Sequence, residues 1–218
     1  CPMTEPLRTL RVGITGAIGT GKSEVCRFLR ERGYPVIDAD HVARHLTETS
    51  EEIKRALHQR FGAGIFDKHG NLRRRELARL VFRDEKALRD LNAIVHPEMI
   101  AAIREEMDRL MKENPFAVFV EAAVIYEAGM EGLFDVVATV AADMPTAVQR
   151  VAKRNGFSEA EVWDRYHSQI PLEEKIRRAD YVIWNKGSLR DLGREVERFL
   201  NWLAERRGRT VHRWTGTE

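Results

Sequence analysis

Leu10-Arg11-Val12-Gly13-Ile14-Thr15 runs directly into Gly16-Ala17-Ile18-Gly19-Thr20-Gly21-Lys22-Ser23. The first six residues are a short, mostly apolar run bounded by glycine, which predicts a buried strand. The next eight satisfy G-x-x-x-x-G-K-[ST]. Val25, Phe28, Leu29 and Arg32 then follow at helical spacing, and Gly33 caps the segment. The glycines let the turn fold tightly and bring main-chain N–H groups to phosphate oxygens with no Cβ in the way. A helix starting near Gly21 adds the positive end of its dipole. The predicted nucleotide-binding loop is therefore Gly16, Ala17, Ile18, Gly19, Thr20, Gly21, Lys22 and Ser23. Lys22 is expected to reach the β- and γ-phosphates of ATP, and the Ser23 hydroxyl to ligate Mg2+. By average residue usage, a random chain of this length matches the pattern about once in a hundred cases, and the flanking strand and helix lower the odds further.

Four more strands are predicted outward from that loop. Tyr34 to Ile37 ends at Asp38-Ala39-Asp40, Phe116 to Glu121 and Asp135 to Ala141 are apolar runs, and Tyr181 to Trp184 is short. From about 40 to 114 the spacing is helical, as in Leu77, Leu80, Val81 and in Met99, Ile103, Met107, Leu110, Met111, with Asn71-Leu72 and His96-Pro97 as punctuation. A helix is predicted near Pro145, and another from the capping-box signal Ser158-Glu159-Ala160-Glu161. A last amphipathic helix is predicted over Leu189 to Glu205, followed by a basic, polar tail from Arg206 that is expected to be mobile. Strands alternating with helices predict an α/β, three-layer fold of the P-loop NTPase type, its parallel sheet covered on both faces. The stretch between the second and third strands is too long for a plain crossover. It is expected to form a helical subdomain (about 41–114) over the strand C-termini, with core pieces at about 10–40, 115–145 and 178–205.

The chain has 218 residues, 43% of them hydrophobic and 32% charged, and carries 36 basic against 34 acidic side chains. That length buries a sizeable core as one large domain with inserted subdomains. The near-balanced charge gives no reason to expect a nucleic-acid or membrane partner, although a local basic cluster can still bind a small polyanion. No apolar run reaches the roughly 18–20 residues of a membrane span, and Cys1 to Pro6 lacks the apolar core of a signal peptide. The expected location is cytoplasmic. Cys1 and Cys26 form neither a disulfide framework nor a metal pattern, and Cys26 reads as a small apolar filler on a helix.

Carboxylates and cations supply the remaining candidates. Asp38 and Asp40 end the second strand, beside the loop in a parallel sheet. There a carboxylate can accept a proton from an attacking hydroxyl, orient a metal-bound water, or simply cap the next helix. Glu121 ends the third strand, either as the acid of a Walker B-like strand or as a solvated carboxylate. Arg150 and Arg154 lie four apart on one helix face with Lys153, either as a cationic lid over ATP phosphates or as an ordinary solvated face. Arg73-Arg74-Arg75 with Arg79 is a further basic run, of which at least one member is expected to meet substrate phosphate.

Taken in order, these residues resemble the dephospho-CoA kinase family. The resemblance runs through Thr15 to Ser23, Asp38-Ala39-Asp40 with Arg44, Arg74, Leu77 and Phe82, and Leu91-Asn92-x-Ile94-x-His96-Pro97. It continues through Gln149-Arg150 with Arg154, then Gln169, Lys175, Ala179-Asp180 and Ile183-x-Asn185, covering about residues 10–204. It implies phosphorylation of the ribose 3′-hydroxyl of dephospho-CoA by ATP, a sheet of five parallel strands, a CoA-binding helical subdomain and a lid (about 146–177). By the same resemblance Asp40 is the catalytic base, aided by Lys22 and Arg150. Asp38, Arg44, Arg74 and His96 belong to the substrate side, and the loop at Asn185 lies near the adenine. Ala123-Val124-Ile125-Tyr126-Glu127 departs from the family's usual Pro-Leu-Leu-Phe-Glu, and Tyr126 adds a hydroxyl for substrate or water. His96-Pro97 also reads as a structural hinge. Other readings of the same core are a different small-molecule or nucleoside kinase, or a regulatory NTPase.

Overall fold

The computed structural model describes residues 8–213, with side chains through Arg207. Cys1, the rest of the opening segment and positions 214–218 of the expected tail lie outside the described residues. Among the described residues, β1 (Leu10–Gly16), β2 (Val36–Asp38), β3 (Ala117–Glu121), β4 (Val136–Ala141) and β5 (Tyr181–Trp184) form one parallel sheet in the order β2-β3-β1-β4-β5. Ile14 pairs with Glu121, the last residue of β3, and Gly16 pairs with Val140, so β1 and β4 run about two residues beyond the end of β3. The connection leaving β1 heads to β2 on one side, and the one leaving its neighbour β4 heads to β5 on the other. That divergence opens the crevice where such sheets bind ligands.

Strand alternation sorts the layers. Val12 and Ile14 of β1, Phe119 of β3 and Val140 of β4 face α1 (Lys22–Glu31) and α9 (Leu189–Arg213), meeting Val25, Leu29, Val196 and Phe199. Val118, Val120 and Val137 face the opposite layer, which includes α2 (Ala39–Thr49) and α5 (Glu85–Met111). Gly13 on this face leaves room for two neighbours, since a Cβ there would lie 2.7 Å from Ile125 Cδ1 and 2.9 Å from the Phe134 ring. A satellite core joins α3 (Glu51–Phe61), α4 (Arg74–Val81) and the first half of α5. A second satellite joins α6 (Met144–Asn155), α7 (Glu159–His167) and α8 (Leu172–Arg178). No helix among the described residues is long and apolar enough to cross a membrane.

Two expectations need correction. His96-Pro97 is not a hinge or turn, because α5 continues through it for 27 residues. An internal proline costs about 3 kcal/mol. Val95, Met99, Ile103 and Met107 are all buried along the same helix, and at roughly 1.5–3 kcal/mol per buried side chain their packing outweighs that cost. The final helix, expected to end near Glu205, continues as far as Arg213. The capping box is present as read: the Ser158 hydroxyl accepts from the Glu161 amide and the Glu161 carboxylate accepts from the Ser158 amide.

Candidate active site

At the end of β1 the chain needs glycine for physical reasons. Gly19 has φ +76° and Gly21 φ +99°, in the left-handed region that side chains disfavour. A Cβ on Gly19 would lie 2.7 Å from Val151 Cγ2 of α6, and one on Gly21 would lie 2.5 Å from Asn185 Nδ2. Among the described residues, the amides of Ile18, Gly19, Gly21, Lys22 and Ser23 donate to no protein acceptor. They surround the N-terminus of α1 and form a nest for an anion.

Lys22 Nζ lies inside this nest and donates to the carbonyls of Gly16 (3.2 Å) and Ala17 (3.1 Å). Burial pushes the ammonium below its ordinary 10.5, and Asp40 opposes that shift. The Ser23 hydroxyl, exposed at the first turn of α1, donates to Glu121 Oε1 at 2.8 Å. Glu121 is 8% exposed, with Arg30 4.0 Å from its other oxygen. Of the two readings offered for this acid, burial and the Ser23 contact exclude the solvated one. A hydroxyl beside a carboxylate at a phosphate nest is a hard-oxygen set. It fits Mg2+, which usually takes one or two protein oxygens plus substrate phosphates and water. No cluster of three or more His, Cys, Asp or Glu able to hold a metal occurs among the described residues.

Asp38 and Asp40 stand side by side with different duties. Asp38 Oδ1 accepts the His41 amide at 3.0 Å, so this carboxylate is the N-cap of α2. Asp40, one residue inside that helix, is within electrostatic reach of Lys22 and Arg44. Its surface is open to solvent, yet protein surrounds it on most sides. Burial raises its carboxyl above the ordinary 3.8, and Lys22 pulls it back.

Asn185 also meets the loop: Nδ2 donates to the Thr20 carbonyl at 3.0 Å, and its own amide donates to Ala141. Arg150 and Arg154 are exposed on α6, the helix that backs Gly19 through Ala147 and Val151. Arg154 Nε donates to Asn155 Oδ1 at 3.1 Å. Arg74 is engaged with α2, donating to the Arg44 carbonyl (3.1 Å), Thr47 Oγ1 (3.2 Å) and Glu48 Oε1 (2.8 Å). His96 is half-buried on α5; burial lowers its pKa, and Glu127 pushes the other way. Tyr126 is not brought to the loop. It is 7% exposed in the lower core, with the Arg178 guanidinium 4.2 Å above its ring. Its buried hydroxyl makes no hydrogen bond of full geometry. Burial pushes its pKa up to about 12, although Thr139 lies near enough to favour the ionised form slightly. The missing family proline does not leave that segment loose: Ala128 N donates to Val124 O and Met130 N to Ile125 O, both at 2.8 Å.

An amide nest at the diverging edge of a parallel sheet holds the phosphates of a nucleotide. A carboxylate lies within electrostatic reach of the nest's lysine. That combination defines a P-loop kinase. The family model described as dephospho-CoA kinase matches residues 10–191, and the chain belongs to the dephospho-CoA kinase family. It is 40% identical over 199 residues to a dephospho-CoA kinase of Bacillus cereus, covering 89% of this chain and 98% of the relative. It superposes on the crystal structure of TT1252 from Thermus thermophilus with a TM-score of 0.75 at 41% identity, covering 90% and 98% of the two chains. For the dephospho-CoA kinase from Campylobacter jejuni the TM-score is 0.65 at 26% identity, covering 89% and 97%.

Proposed function

We propose that this chain transfers the γ-phosphoryl group of ATP to the ribose 3′-hydroxyl of dephospho-CoA, giving coenzyme A and ADP, the last step of CoA synthesis. The observation that carries the reading is the pairing of Lys22, inside the amide nest, with Asp40 across from it. The free amides of the nest and the dipole of α1 bind the phosphates. Lys22 exchanges its two loop carbonyls for β- and γ-phosphate oxygens as nucleotide enters. Ser23 and Glu121 would hold Mg2+, which when bound neutralises charge on the β- and γ-oxygens. Asp40 orients the acceptor hydroxyl and takes its proton late, once the bond to phosphorus is forming. Arg150, with Arg154 beside it, supplies positive charge to the equatorial oxygens as the α6–α8 segment acts as a lid. Asp38 supports Asp40 by holding the first turn of α2. Arg44, Arg74 and His96 lie along the helical side, where the acceptor's phosphates and pantetheine arm are read. Both substrates are small and highly charged, which supports a cytoplasmic enzyme with no nucleic-acid or membrane partner.

Most of the rate on this mechanism comes from positioning and charge, so the acceptor must be present for turnover. Release of ADP should rise by about tenfold or more on adding dephospho-CoA and stay near background with nucleoside monophosphates. Equal turnover with a nucleoside monophosphate would reassign the enzyme to nucleoside kinases. Slow hydrolysis indifferent to any acceptor would make it a regulatory NTPase.

A further inference from the structure

Lys175 has no exposed side-chain surface, and the mechanism above does not use it. Its Nζ donates to the Ala123 carbonyl at 2.5 Å and pairs with Glu127 Oε1 at 2.8 Å. The same Glu127 oxygen accepts the Ile170 amide, between α7 and α8, at 3.0 Å. The Ala123 carbonyl also accepts the hydroxyl of Thr15, the residue before Gly16, at 3.2 Å. The Lys175 carbonyl in turn accepts the Thr139 hydroxyl of β4 at 3.1 Å. One buried ammonium on α8 therefore grips the 122–129 loop after β3, whose two acceptors in turn hold the end of β1 through Thr15 and the segment before α8 through Ile170.

Placing an ammonium out of water costs several kcal/mol even after relaxation, and an apolar side chain of similar volume often fills such a site at equal or greater stability. Core filling alone does not call for a charge here. What the charge adds is direction, because its two acceptors, the Ala123 carbonyl and the Glu127 carboxylate, also receive Thr15 of β1 and the Ile170 amide and so hold separate elements in one register. Lys175 lies close enough for its charge to act on Lys22, and Glu127 close enough to act on His96.

We propose that Lys175 and Glu127 are positioning residues for phosphoryl transfer, holding the 122–129 loop and the acceptor side of the site in register with the nucleotide loop. The inference rests on the kinase reading above. It accounts for a lysine that neither touches the nest nor reaches solvent.

The test compares Lys175→Met with the double variant Lys175→Met/Glu127→Leu, measuring Tm and the KM for each substrate. The single change leaves a buried carboxylate unpaired and should lower Tm. The double change removes both charges and should bring Tm back to within a few degrees of the unmodified protein. In that refolded background the KM for dephospho-CoA should rise about tenfold or more while the KM for ATP moves by about twofold or less. A double variant with restored Tm and an unchanged dephospho-CoA KM overturns the proposal, since the pair is then only structural. If the double variant does not fold, Glu127→Gln decides, because it keeps an oxygen for Ile170 and removes the charge. The same rise in dephospho-CoA KM is expected there, and its absence overturns the proposal. Unmodified protein whose ADP release ignores dephospho-CoA would sink the assigned acceptor itself, a failure visible before any variant is made.

Discussion

Asp40 and Lys22 are shifted toward each other, and the two shifts define a pH profile. Asp40 must be ionised to act as base, and burial raises its carboxyl above 3.8. Lys22 must be charged to hold phosphate, and burial lowers its ammonium below 10.5. The kcat/KM for ATP should therefore fall on the acid side with an apparent pKa above 3.8, and on the alkaline side with one below 10.5, since this ratio reports the free enzyme. Asp40→Asn should lower kcat by about 10²–10⁴-fold with little change in ATP binding and should remove the acid limb. A variant within a few-fold of full kcat would mean the proton goes elsewhere. The neighbouring acid shows how far the residues alone could be read. Asp38 and Asp40 share a type and a location, and catalysis and capping were both open for each. Asp38 proves to be the cap because its oxygen meets the His41 amide, a detail of backbone direction that residue type does not carry.

Among the elements, the nucleotide loop tolerates the least change. Gly21 combines a left-handed φ with a neighbour, Asn185 Nδ2, where its Cβ would go. Gly70 has a similar φ of +79° with nothing within 4 Å. Both alanine variants carry about 1–2 kcal/mol of backbone strain. Only Gly21→Ala should also disturb ATP, raising its KM roughly 5- to 30-fold, while Gly70→Ala loses stability alone. Equal ATP KM for the two would show that the loop adapts without loss. Elements with a local code were legible: β5 runs from Tyr181 to Trp184 as its residues suggest, and the capping box at Ser158 opens α7. The continuity of α5 was not. Proline is a local stop signal, and what overrides it is burial of Met99, Ile103 and Met107 against a sheet whose strands lie elsewhere in the chain.

For the whole molecule, the nest joins β1, α1, α6 and the loop after β5, so nucleotide should stabilise the fold rather than a single loop. At a hundred times its Kd, a ligand adds about 2.7 kcal/mol. In a protein of this size that corresponds to a Tm rise of roughly 5–10 °C. Lys22→Ala should keep the Tm of the free protein, abolish turnover and lose most of that rise. An undiminished rise would show that nucleotide binds away from the loop. The stretch between β2 and β3 reads as an insertion because it is too long for a plain crossover, whereas the lid at about 146–177 is read only from the family resemblance. Their attachments are not legible in the sequence. Residue type names Arg74 as a cation for substrate, but does not show that its guanidinium rests against α2 on Arg44, Thr47 and Glu48. Tyr126 offered a hydroxyl for substrate, yet it is sealed beneath Arg178.

What the chain's order alone settled was everything encoded within a few turns of backbone. The glycine spacing that makes an amide nest and the alternation that buries strands act between near neighbours, and the family is marked by the order of such local motifs along the chain. What waited for the folded molecule was every contact made across the sheet. Ser23 meets Glu121 across 98 positions and Lys175 meets Ala123 across 52. Both pairs are close only because β3 and β4 flank β1. Strand order depends on the packing of the whole core, and no local pattern carries that information.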